Sequence, residues 1–108
     1  VLIESSKHVG PWRERIAWFA AQKMHGRFTG AVNVRLEFVM PRPKSLPQNR
    51  TPAAVKRPDV DKLARACLDA ISGIAYEDDS QVVGLHANKR IALPGEQPGC
   101  QITIREGS

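Results

Sequence analysis

Cysteine is scarce in this 108-residue chain, and the two present, Cys67 and Cys100, lie far apart. They make neither a disulfide framework nor a Cys-x-x-Cys metal knuckle, and they fit a reducing, cytoplasmic setting. Long apolar runs are missing as well. Charges interrupt every hydrophobic stretch, none nears the ~20 residues of a membrane helix, and no membrane partner is expected. The first residue is Val1, and no basic, then apolar, then small-residue pattern follows it. A signal peptide is therefore not expected, and some upstream sequence is expected to be absent. His8, His25 and His86 are scattered with no His-x-x-x-His spacing, which argues against a zinc site and a histidine base. No Gly-x-Ser-x-Gly, Walker A or Gly-x-Gly-x-x-Gly pattern occurs, so a serine hydrolase, a nucleotide triphosphatase and a dinucleotide enzyme are disfavoured.

What is present suits one folded domain spanning residues 1–108. With 42% apolar and 25% charged residues the chain has the balance of a globular domain, not of a disordered one. Its net charge of +5 is unevenly placed. Residues 41–58 hold Arg42, Lys44, Arg50, Lys56 and Arg57 and no acid, so the other 11 basic residues balance the 11 acidic ones. The same segment holds Pro41, Pro43, Pro47, Pro52 and Pro58, which excludes a regular helix or central strand and predicts an extended, exposed arm. Directly after it the sign reverses: Asp59, Asp61, Asp69, Glu77, Asp78 and Asp79 follow within about twenty residues. A phosphate-binding arm beside an acidic site is one reading, and a solvated basic loop is the other.

Hydrophobic periodicity predicts a helix over 11–25 opened by Pro11, with Trp12, Ile16, Phe19, Ala20 and Met24 inward and Arg13, Glu14, Arg15 and Lys23 outward. Strict alternation of Val32, Val34, Leu36, Phe38 and Met40 predicts a half-buried strand over 31–40, stopped by Pro41. Val60, Leu63, Ala64, Cys67, Leu68 and Ile71 recur at three and four, giving a second helix over 60–72 closed by Gly73. Strands are expected at 81–89 and 100–105, with a Pro/Gly turn at 94–99. The order implies an α+β domain, two helices packed on one small mixed sheet.

Chemistry concentrates at Asp59-Val60-Asp61 and at Asp78-Asp79. Converging carboxylates suit a hard divalent cation that bridges to phosphate. Against that, Asp59 is a natural N-cap, and a carboxylate in the first turn is favoured by the helix dipole, so capping explains the first pair equally well. The chain has the reach to bring them together: a helix over 61–71 rises about 16 Å and residues 72–79 extend to at most about 26 Å. Asp79 can thus return beside Asp61, or the site can be completed across a dimer. Arg65, four residues after Asp61, either pairs with it or grips a phosphate.

Taken together, Arg57-Pro58-Asp59-Val60-Asp61-Lys62-Leu63, Leu68-Asp69-Ala70-Ile71, Gly73-Ile74 and Tyr76-Glu77-Asp78-Asp79-Ser80-Gln81-Val82-Val83 resemble the RusA family of phage and prophage Holliday-junction endonucleases. The resemblance covers roughly residues 11–105. It implies a Mg²⁺- or Mn²⁺-dependent homodimer in the cytoplasm of a bacterial host that binds four-way junction DNA and resolves it by paired symmetric nicks. By position it puts catalytic and metal-binding roles on Asp59, Asp61 and Asp79, with Asp78 as a neighbouring ligand. Arg65 stands where the family carries a catalytic lysine, and Lys62 where it carries asparagine; an arginine keeps the charge but does not give up its proton. Phosphate contacts are expected from Arg42, Lys44, Arg50, Lys56, Arg57 and Lys62. The family also begins with a strand upstream of Val1, so an N-terminal strand is expected to be lacking. The competing expectation is a non-catalytic basic DNA-binding module whose aspartates only cap a helix.

Overall fold

Alternation along residues 32–40 builds the centre of the sheet. In the computed structural model, which describes residues 12–107 and the backbone of 2–5, strand β2 (Val32–Met40) buries Val32, Val34, Leu36 and Phe38 on one face. Asn33 and Arg35 are exposed on the other. Strand β3 (Val82–Ile91) runs parallel to β2, β4 (Gly99–Glu106) antiparallel on its other side, and β1 (Leu2–Ser5) antiparallel beyond β4. The order β1-β4-β2-β3 makes a four-stranded mixed sheet, so the expected α+β arrangement is the one adopted. Leu2–Ser5 forms the outer strand on the β4 side of the sheet. Pro11 and His8 lie outside the described residues.

Two helices cover the apolar face. In α1 (Trp12–Lys23), Ile16 and Ala20 are fully buried one turn apart, with Trp12 and Phe19 packed beside them. The helix stops two residues short of the predicted end, where Met24 closes the last turn onto the Ala20 carbonyl and Gly26 adopts a φ of 145°. Arg15 departs from its expected outward position: it is half-buried and its Nε is shut off from solvent. In α2 (Val60–Ile71), Ala64, Cys67 and Ile71 line one face and are buried. Burying a side chain the size of Ile71 contributes about 2 kcal/mol.

Helix α2 fills the crossover between the parallel strands β2 and β3. Such a connection must return the chain to the starting end of the sheet, so α2 runs against both strands. Its first turn sits by the ends of β2 and β3, where Lys89 reaches the Pro58 carbonyl. Its last turn sits by their starts, where Tyr76 bridges to Phe28 and Ser72. Gly73, at φ 85°, makes the turn that sends the chain back, and its N–H donates to the Tyr76 carbonyl at 2.7 Å.

Candidate active site

The mouth of α2 bears on both readings of Asp59. Asp59 occupies the N-cap position with extended backbone (φ −70°, ψ 144°), yet its carboxylate makes no capping hydrogen bond. Only its carbonyl engages the helix, accepting from the Leu63 N–H at 3.1 Å. Asp61 lies in the first turn, exposed, and Lys62 and Arg65 are exposed beyond it. Among the described residues no ion pair joins Asp61 to Arg65. Two carboxylates and two cations therefore stand uncommitted at one helix end, where the dipole favours negative charge.

Asp78 and Asp79 differ from each other in what holds them. Asp78 caps a single 3₁₀ turn (Asp79–Gln81): its Oδ2 accepts from the Ser80 N–H at 2.9 Å, and the Gln81 side chain accepts from the Asp78 and Glu77 N–H groups at 3.0 and 2.8 Å. The hydrogen bonds from Ser80 hold the Asp78 carboxyl below its usual range. Gln81 also donates to the carbonyls of Phe28 and Gly30, both at 2.9 Å, pinning the turn to the start of β2. Asp79 accepts at Oδ1 from the Tyr76 hydroxyl at 2.9 Å. Tyr76 is wholly buried, and that burial, with the bond to Asp79, raises its pKa far above the usual range, so it remains a donor.

These two acidic groups lie at opposite ends of α2. The helix is 12 residues, about 18 Å at ~1.5 Å per residue. Asp79 precedes the start of β3, whereas Asp59 lies by Lys89 near its end. Of the two arrangements the sequence allows, one chain does not adopt the return of Asp79 to Asp61, because the crossover spends the length of the loop reaching the start of the sheet. Accordingly, no group of three or more metal-binding side chains converges among the described residues. Each exposed aspartate has the hard oxygen chemistry that Mg²⁺ takes, but one chain brings together only two.

The basic arm is shaped from within. The Arg42 guanidinium turns inward, donating to Thr51 Oγ1 at 2.9 Å, to the Ala92 carbonyl at 3.1 Å, and to the carbonyls of Pro47 and Arg50. Arg42, expected among the phosphate contacts, thus spends its donors within the arm. Lys44, Arg50, Lys56 and Arg57 are exposed, with no ion-pair partner among the described residues. Lys89 escaped the sequence reading: its Nζ donates to the carbonyls of Lys56 at 2.6 Å and Pro58 at 2.7 Å. No residue pattern signals these bonds; in the sheet Lys89 falls in register with Phe38, on the face where Ala87 and Ile91 pair with Leu36 and Met40. Tyr76, the chain's one tyrosine, also lies outside the expected site residues.

The chain is similar to known proteins over most of its length. The chain is 32% identical over 89 residues to the "Uncharacterized protein YqaN" of Bacillus subtilis (strain 168), covering 74% of this chain. It spans 61% of that relative's length. The family described as "Endodeoxyribonuclease RusA" matches residues 3–105, which takes in the arm, the helix mouth and the acidic turn. With nearly the whole fold inside that match, the chain belongs to the RusA endodeoxyribonuclease family.

Proposed function

We propose that this chain is a Mg²⁺-dependent, structure-selective endodeoxyribonuclease that nicks four-way DNA junctions in pairs, each site being completed by two copies of the chain. The observation that carries the reading is Asp59: an N-cap residue whose carboxylate does not cap is available for a cation. Asp61 stands beside it, and the third carboxylate, Asp79, lies at the far end of the helix. Among the described residues strand β3 is an outer edge of the sheet, with Val83 and Leu85 58% and 49% exposed just after Asp79. Two copies joined antiparallel along this edge about a two-fold axis put the start of one β3 against the end of the other. Asp79 of one copy then meets Asp59 and Asp61 of the second.

Bound Mg²⁺ supplies Lewis acidity to the phosphodiester and its attacking water. The chain's own residues do the rest. Asp59, Asp61 and Asp79 provide the oxygen ligands, with Asp78 capping the turn that presents Asp79. Arg65 and Lys62 face the phosphate and offset its growing charge, Arg65 as a fixed cation that keeps its proton. Lys44, Arg50, Lys56 and Arg57 hold the DNA backbone. The two-fold axis places two equivalent sites on opposed strands.

The test is a synthetic four-way junction beside a linear duplex of matched sequence, with and without Mg²⁺ or Mn²⁺, using the wild type and Asp61→Asn. Paired metal-dependent nicks in the junction alone, lost in a folded Asp61→Asn protein that still binds it, are expected. Tight binding without nicks in either metal would favour the DNA-binding module instead.

A further inference from the structure

We infer that Lys89 is a positioning residue for the helix mouth: through two backbone carbonyls it sets where Asp59 stands and how Arg57 is presented. The inference rests on the site proposed above and adds a residue to it. Asp59 does not fix itself, since its carboxylate makes no bond to the helix it opens. Its place depends on the chain leading into it, which is proline-rich and free of regular structure.

The Lys89 ammonium donates to the carbonyl of Pro58, the group joined directly to the Asp59 nitrogen, at 2.7 Å, and to that of Lys56 at 2.6 Å. Both are charge-assisted and short, the stronger sort of hydrogen bond. The two carbonyls flank Arg57, so residues 56–58 are clamped by their backbone while the Arg57 side chain stays exposed. Lys89 itself is held by the sheet: it lies in register with Phe38 on β2, and its half-buried stem follows the apolar row of Ala87 and Ile91. A cation in that row is costly unless its donors are satisfied, and the arm carbonyls satisfy two of its three. The clamp thus transmits the rigidity of the sheet to the carboxylate that needs it, as outer partners do for metal ligands generally.

Two readouts on Lys89→Met test this. The first is amide hydrogen exchange. Faster exchange is expected over residues 57–63, including the Leu63 N–H, with the centre of β2 unchanged; unchanged exchange at 57–63 would overturn the inference. The second is the Mg²⁺ concentration for half-maximal junction nicking. It is expected to rise by about tenfold or more, while junction affinity measured without Mg²⁺ changes by less than about threefold. An unchanged Mg²⁺ requirement would refute the role. So would a large loss of junction affinity with a salt slope reduced by about one, which would mark Lys89 as a phosphate contact. Thermal unfolding accompanies both, and Lys89→Gln replaces the Met variant if that one fails to fold. If the wild type nicks no junction, the proposed function fails and hydrogen exchange alone still decides the role of Lys89.

Discussion

Tyr76 shows what one hydroxyl contributes to this site. Its ring belongs to the core and its oxygen reaches Asp79 at 2.9 Å, so a single side chain joins the packed interior to an exposed carboxylate. Tyr76→Phe keeps the ring and removes only the bond. Water replaces the lost donor at an exposed acid, and the stability cost is expected to be about 1 kcal/mol in a denaturant titration. Activity is expected to suffer more, because Asp79 then loses the partner that orients it. Nicking should fall by about tenfold or more, with junction affinity unchanged; equal losses in stability and rate would show that the hydroxyl serves packing alone. Arg42 and Lys44 make a second contrast, two positions apart in sequence. Arg42→Ala empties the centre of the arm and is expected to loosen it to proteolysis. Lys44→Ala should leave the arm intact and lower the slope of log affinity against log salt by about one.

At the level of elements, the turn before β4 carries a pH dependence of its own. Glu96 accepts two hydrogen bonds at 2.7 Å from Arg90 and a third from the Leu93 N–H at 2.8 Å. The Arg90 guanidinium and that N–H hold the Glu96 carboxyl at about 2, against an ordinary 4.5. A depressed acid stabilises the fold fully above its unfolded pKa and loses that contribution as pH falls through the folded one. The stability gap between wild type and Glu96→Gln should therefore be constant above about pH 4.5 and close between there and about pH 2. Comparing unfolding midpoints of the two proteins removes the effect of Asp78, which shifts the same way. Most elements were legible in sequence because periodicity reports burial: the alternation of 32–40 and the three-and-four spacing of 60–71 each face one core. The arm's exposure was legible from its prolines. Its shape was not, because Arg42 and Lys89 spend their donors on carbonyls that no residue pattern encodes. The placing of Asp79 was lost for a related reason: chain reach sets an upper bound on distance, and strand direction, which decides it, depends on pairing across the sheet.

At the scale of the whole molecule, the proposed function makes activity depend on oligomeric state, because Asp79 stands apart from the Asp59 and Asp61 pair. Asp61→Asn and Asp79→Asn are each expected to be inactive alone. If sites are shared, equal mixing and exchange leave half the dimers mixed. Each mixed dimer combines both substitutions in one site and leaves the other intact, so about a quarter of all sites should recover. Those sites should give single nicks, because the opposed strand faces the doubly altered site. If each chain instead builds its own site, every site in the mixture carries one substitution and no activity returns. Leu85→Glu on the outer edge of β3 supplies the complementary result. It places a charge where the second copy is proposed to sit, so sedimentation should show a monomer, and junction nicking should be lost while the fold, read by circular dichroism, persists. A monomeric Leu85→Glu protein that still nicks in pairs would refute the shared site.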